Sequence, residues 1–140
     1  MIYLDSSAVL KLVRTEDETP ALRYWLVARP AEPLVTSELG RVEVLRAARR
    51  SGEHVESTAR LALGDLDLVP LDRAVQDLAS TIGGPALRSL DALHLASAVL
   101  LRDHLSAFVA YEHRLAEAAR EEGLPVTAPA PGTGATGWAD

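Results

Sequence analysis

Short apolar runs alternate along this chain with longer stretches in which apolar residues return every three or four positions. The first kind reads as buried strand and the second as helix. Residues 1–4 form a strand-like run that stops at Asp5. Ser6 or Ser7 can cap a helix over 8–14, and Pro20 suits the first turn of another over 21–28. Pro30 and Pro33 bracket a loop before a second strand at 34–36. Thr36 or Ser37 then caps a helix to about Arg50, stopped by Ser51-Gly52, and a further helix fits 53–63. Residues 66–71 are strand-like, Asp72 caps a helix through Ile82, and Gly83-Gly84-Pro85 breaks it. A strongly amphipathic pattern covers 89–101, a strand 107–111, and a helix 112–122 ended by Gly123. Residues 124–127 fit an edge strand, where Pro125 is tolerable. From 128 onward Pro, Gly, Thr and Ala predominate and a loose tail is expected.

Strands alternating with helices predict an α/β fold, a three-layer sandwich whose central, mostly parallel sheet is covered by helices. The 140 residues suit one domain, placed at 1–130, with a flexible tail at 131–140. In such a sheet, ligands bind beyond the carboxyl ends of the strands. That rule turns attention to acidic residues.

Asp5 leaves the first strand, and Glu112 follows the strand at 107–111. Asp91 opens the helix that starts at Ser89, and Glu43 rides on the helix ending near Arg50. Each has an ordinary explanation as a turn residue, a helix cap or a favourable charge at a helix start. Glu43 would then pair with Arg46 or Arg50 on the surface. Glu38 is weaker still as a candidate, because the helix dipole alone accounts for it. What the ordinary explanations leave over is all four carboxylates at one edge of one sheet. Converging carboxylates repel, and a hard divalent cation with oxygen ligands relieves them. The pattern points to metal-dependent chemistry on phosphates.

Composition narrows this. The absence of cysteine excludes disulfides, zinc-thiolate sites and thiol catalysis, and fits a cytoplasmic protein. No apolar run approaches the roughly 18 residues that cross a bilayer. A net charge of −6 argues against a module that coats nucleic acid, yet suits a nuclease whose acidic site holds metal. Thirteen of the fourteen basic residues are arginine, and Arg41, Arg46, Arg49 and Arg50 form the densest cluster. Solvated helix faces usually look like this, but Arg46, Arg49 and Arg50 lie close enough to Glu43 to contact an RNA backbone. His94 fits a structural hydrogen bond better than catalysis. His113 and Arg114 read as surface positions, and Trp25 and Trp138 as packing and tail residues. Receiver-type phospho-signalling wants a lysine beside the acids, and the one lysine, Lys11, lies a turn into the first helix. An aspartyl-nucleophile phosphatase wants Asp-x-Asp, where this chain has Asp5-Ser6-Ser7.

The blocks Ile2-Tyr3-Leu4-Asp5-Ser6-Ser7, Arg41-Val42-Glu43-Val44-Leu45-Arg46, Ser89-Leu90-Asp91-Ala92-Leu93-His94-Leu95-Ala96 and Phe108-Val109-Ala110-Tyr111-Glu112 resemble the PIN-domain ribonucleases, in particular VapC-type toxins of type II toxin–antitoxin systems. The resemblance implies a PIN-like α/β/α sandwich and an endoribonuclease that binds Mg²⁺, or Mn²⁺ in its place, and hydrolyses RNA through metal-activated water. It assigns Asp5, Glu43 and Asp91 to the acidic core as catalytic and metal-binding residues, with Ser7 supporting the first. Glu112 stands where the family usually has aspartate, and joins the set with a longer side chain. The resemblance further implies a homodimer and a cognate VapB-type antitoxin that covers the acidic site. The rival is a catalytically weak PIN-fold module that mainly binds its antitoxin or RNA.

Overall fold

The computed structural model describes residues 1–132. Five strands make one sheet: β1 (Ile2–Leu4), β2 (Leu34–Ser37), β3 (Asp67–Val69), β4 (Ala107–Val109) and β5 (Val126–Thr127). Their order is β3-β2-β1-β4-β5, and every pairing is parallel, so the sheet is wholly rather than mostly parallel. β1 lies in the middle with both neighbours registered on it, Tyr3 opposite Val35 on one side and Phe108 on the other.

Period-two alternation sorts the strand residues between the two faces. Ile2, Leu4, Ala107 and Val109 pack with α1 (Ser6–Val13), α2 (Thr19–Val27), α3 (Glu38–Arg50) and α4 (Glu53–Gly64). Tyr3, Val35 and Phe108 pack with α6 (Ser89–Val99) and α7 (His113–Glu121), while α5 (Arg73–Ala79) leans on α6. Tyr3 stacks on Phe108 with ring centroids 5.2 Å apart, a pairing worth about 1 kcal/mol beyond the area it buries.

Several boundaries depart from expectation, each for a local reason. α1 starts at Ser6 because Asp5, not Ser6 or Ser7, is its cap, its carboxylate accepting from the Ala8 amide at 2.9 Å. Ser37 caps α3 through the Gly40 amide, as anticipated for one of the two candidates. α5 ends at Ala79 rather than Ile82, its last carbonyls met by the Ser80, Thr81 and Ile82 amides in a turn. α6 is less one-sided than its sequence suggests, since Ala92 and His94 through Ala98 are all buried. The strands at 66–71 and 107–111 are each trimmed to three residues. Ala128 and Pro129 are buried, and the Pro129 carbonyl accepts from the Tyr111 hydroxyl at 2.7 Å, so the chain is still packed where a tail was expected. The remainder of that tail, with Trp138, falls at 133–140, outside the described residues.

Because all strands run the same way, their carboxyl ends share one edge. Asp5 follows β1 there, and Glu112 comes three residues after β4. α6 leads back towards the start of β4, so its own first turn, with Asp91, lies at the same edge.

Candidate active site

Asp5 is almost wholly buried, 3% exposed. Its Oδ1 accepts from the Ala8 amide and from the Ser7 hydroxyl at 2.6 Å, and Ser7 Oγ in turn accepts from the Tyr111 amide at 3.0 Å. Ser7 thus ties the first aspartate to the end of β4. Burial pushes the Asp5 carboxyl above its ordinary range, against the lowering effect of the Ser7 hydrogen bond.

Glu43 sits in the second turn of α3. No arginine pairs with it. Its Oε1 accepts instead from Ser6 Oγ at 2.5 Å and from His94 Nε2 at 2.6 Å. Burial alone would raise this carboxyl, but the His94 and Ser6 hydrogen bonds outweigh it and hold Glu43 below its ordinary range. His94 is itself buried, with Nδ1 2.8 Å from the Tyr3 hydroxyl. Tyr3 is fully enclosed, and burial pushes its phenol far above the usual range, so the proton stays on the oxygen.

Asp91 and Glu112 are arranged more openly. Asp91 makes no hydrogen bond or ion pair among the described residues, and its carboxyl is raised first by burial and then by the charge of Glu112. Glu112 is exposed and caps α7, its Oε2 accepting from the Leu115 amide at 3.1 Å. Glu43, Asp91 and Glu112 line one cavity of about 290 Å³ together with Arg88, Ser89, Leu90 and Arg114. Asp5 lies outside that lining but within the field of Glu43. The four carboxylates therefore form a chain of mutual influence: Asp5 with Glu43, Glu43 with Asp91, Asp91 with Glu112.

The donor set is purely oxygen, and two of its carboxyls are raised by burial, which an approaching cation would reverse. Among the described residues no three His, Cys, Asp or Glu side chains stand arranged to hold a metal ion. Oxygen-only donors are the kind that hard divalent cations take, and such ions can keep several waters and bind through one or two carboxylates.

Arg46, Arg49 and Arg50 line a second, larger cavity between α3 and α4, about 520 Å³, with Leu45, Glu56 and Arg60. Arg60 pairs with Glu56 at 2.8 Å, while the three α3 arginines make no ion pair among the described residues. Glu38 accepts from the Leu71 amide at 3.1 Å and so ties α3 to the β3–α5 loop. Trp25 packs into the core as expected, with the Arg29 guanidinium 4.0 Å from its ring centroid.

The family model described as PIN domain matches residues 2–121 of this chain. The chain belongs to the PIN domain family. It is 47% identical over 132 residues to a protein named Ribonuclease VapC47 from Mycobacterium tuberculosis, a span covering 92% of this chain and 97% of the relative. It is 44% identical over 128 residues to Ribonuclease VapC46 of the same species, covering 91% and 97%. Its fold matches a chain from a toxin–antitoxin complex of Klebsiella pneumoniae with a TM-score of 0.65 at 19% identity, over 81% of this chain and 88% of that one. The PIN-like sandwich implied by the motif blocks is therefore the observed fold.

Sequence reasoning named Ser7 beside Asp5 but missed other surroundings of these acids. Ser6 was considered only as a helix cap, yet it binds Glu43. Arg114 is exposed, as expected of a surface position, and it also lines the cavity, as does Arg88. The signal for Arg88 and Arg114 was available in principle, since each stands two or three residues from a candidate acid.

Proposed function

We propose that this PIN-domain protein is a Mg²⁺- or Mn²⁺-dependent endoribonuclease and the toxin of a type II toxin–antitoxin pair. The observation that carries the reading is the cavity onto which Glu43, Asp91 and Glu112 open, with Asp5 buried beside Glu43, in a chain 47% identical to a named ribonuclease.

Asp5, Glu43 and Asp91 would hold the cation, with Glu112 contributing the oxygen not engaged by Leu115. When bound, the cation supplies Lewis acidity, lowering the pKa of water and neutralising charge on phosphate and leaving oxygens. The chain's own work is positioning. Ser7 orients Asp5 from below, and Asp91 brings an unpartnered carboxylate to the cavity. Arg88 and Arg114 stand at the same cavity, where their guanidinium forks can meet phosphate. Arg46, Arg49 and Arg50 would track the RNA backbone further along α3. Hydrolysis by in-line attack leaves a 5′-phosphate and a 3′-hydroxyl.

The partner implied is a VapB-type antitoxin, supported by the match to a chain from a toxin–antitoxin complex; a homodimer and a cytoplasmic site of action complete the proposal. Among the described residues no helix is long and apolar enough to cross a membrane.

One observation favours the rival reading, a weakly catalytic module that chiefly binds antitoxin or RNA: Glu112 is exposed and spends one oxygen on the α7 cap. Incubating the antitoxin-free protein with mixed RNA, in Mg²⁺, Mn²⁺ or EDTA, separates the two. Cleavage that needs the cation and yields 5′-phosphate ends is expected. RNA retention without cleavage, under every condition, would favour the rival.

A further inference from the structure

We propose that His94 is a positioning residue of this site: it clamps Glu43 by one carboxylate oxygen, in a tautomer chosen by Tyr3, and leaves the other oxygen for the cavity. The proposal rests on the nuclease reading above.

The imidazole joins four elements. Tyr3 belongs to β1, Ser6 to α1, Glu43 to α3 and His94 to α6. Its ring is 2% exposed. Packing alone does not call for such a cluster, because a buried phenol, imidazole and carboxylate are costly unless each is hydrogen-bonded. Here each is bonded, and the bonds run in one direction. A carboxylate only accepts, so His94 Nε2 carries the proton that points at Glu43. In the neutral ring Nδ1 is then the acceptor, and the Tyr3 hydroxyl 2.8 Å away is its donor. The tyrosine is held in turn by its stack on Phe108 and lies edge-on to the imidazole, with centroids 6.1 Å apart.

Room for the ring comes from Gly40, one turn before Glu43 on α3. A Cβ at that position would lie 3.3 Å from His94 Cε1 and 2.5 Å from Thr36 Oγ1. A glycine here lets α3 approach α6 closely enough for Nε2 to reach the glutamate.

Both donors, Ser6 Oγ and His94 Nε2, converge on Oε1 and lie 3.0 Å from each other. Oε2 has no hydrogen bond among the described residues, and Glu43 lines the cavity shared with Asp91 and Glu112. The clamp therefore restricts the rotation of Glu43 during folding, so that less is left to lose when cation or phosphate arrives. Groups that orient a ligand from behind in this way typically change affinity or activity by about 10- to 100-fold when removed.

Two substitutions of similar chemistry test it. In His94→Gln the side-chain amide reaches about as far as Nε2 and can donate to Glu43. In His94→Asn it reaches only about as far as Nδ1, towards Tyr3. The full chain is assayed for Mn²⁺-dependent cleavage of single-stranded RNA. The Gln variant should keep most of the rate, and the Asn variant should lose about 10- to 100-fold; equal rates in the two would overturn the proposal. A second readout does not need catalysis. In protein labelled with ¹³C at glutamate Cδ, the Glu43 resonance is identified by its loss in Glu43→Gln. It should stay in place in His94→Gln and move towards the exposed glutamates in His94→Asn. An unmoved resonance in the Asn variant overturns the clamp even if RNA is never cut. A wild-type chain that neither binds Mn²⁺ nor cuts RNA overturns the nuclease reading instead, and the resonance still decides the clamp. Should both histidine variants misfold, Ser6→Ala, at a half-buried position, removes the other donor to Oε1 and should shift the same resonance; no shift counts against the proposal.

Discussion

The four carboxylates divide into an inner pair and an outer pair, and the two are built differently. Asp5 and Glu43 are each hydrogen-bonded by side chains: Asp5, which also caps α1, by its neighbour Ser7, itself met by the Tyr111 amide, and Glu43 by Ser6 and His94 from other elements. Asp91 and Glu112 each sit at a helix start, where the dipole favours a negative charge. The inner pair is fixed before any ligand arrives. The outer pair is open, half-exposed or exposed, and one member has no partner among the described residues. A site built this way holds a rigid floor and an adaptable rim, which suits a cation that keeps part of its water shell and shares it with phosphate.

The sharpest way to break that division is to neutralise one carboxylate from each pair. Asp5→Asn and Asp91→Asn should each reduce Mn²⁺-dependent RNA cleavage by about 100-fold or more, since a cation's charge stabilisation is worth several kcal/mol and each 1.36 kcal/mol is tenfold. Initial rates on one labelled RNA check this. Retention of full rate in Asp91→Asn would reduce the site to its inner pair.

Gly40→Ala strikes the inner pair through packing. The new methyl would press on Thr36 Oγ1 and the His94 ring, and a fold destabilised by about 1–3 kcal/mol is expected from overpacking of this kind. Urea unfolding with an unchanged slope would read it out.

Replacing Arg46, Arg49 and Arg50 together with alanine leaves both carboxylate pairs intact. If these three meet phosphates of single-stranded RNA, the slope of log affinity against log salt should flatten by about 2, at ~0.7 for each contact. Filter binding by the catalytically inactive Asp91→Asn protein, with and without the triple change, measures it. An unchanged slope would remove the α3 groove from the RNA path.

The smallest effect concerns pH. Asp91 is raised above its ordinary value of 3.8, so the folded chain holds a proton that the unfolded chain has released. Its contribution to stability is present below that value and is lost as pH rises through the raised folded one. Glu43 has the opposite sign: lowered from 4.5, it stabilises above that value and ceases to do so as pH falls. In cation-free buffer at about pH 7, Asp91→Asn should therefore melt a few degrees above wild type, the gap closing towards about pH 4, whereas Glu43→Gln should melt below it. Melting curves over that range check both signs; solvent screening at half-exposed Asp91 keeps its effect small.

The same division explains what could be read in advance. Alternating short strands and periodic helices marked the parallel sheet, and the strand-end rule then placed Asp5 and Glu112 at its carboxyl edge. Asp91 and Glu112 were legible because a helix start is a local feature. Helix ends were less so: Asp5 displaced Ser6 and Ser7 as the cap because its own carboxylate, rather than a hydroxyl, reached the Ala8 amide. Ser7 was named beside Asp5 through the resemblance, but the partners of Glu43 could not be read, because Ser6 and His94 stand 37 and 51 residues from it. Only the packing of α1, α3 and α6 brings them together. Nor does Gly40 announce itself in sequence, since its reason is the space occupied by an imidazole from another helix.

The claim that inner and outer pairs make one cation site is tested most directly by titrating Mn²⁺ into the protein and following the electron paramagnetic resonance signal of the free ion. Wild type, Asp5→Asn and Asp91→Asn are compared at one pH and ionic strength. Saturable binding in the wild type, lost or greatly weakened in both variants, is the expected result. No binding by the wild type, or binding undiminished in both variants, would contradict it.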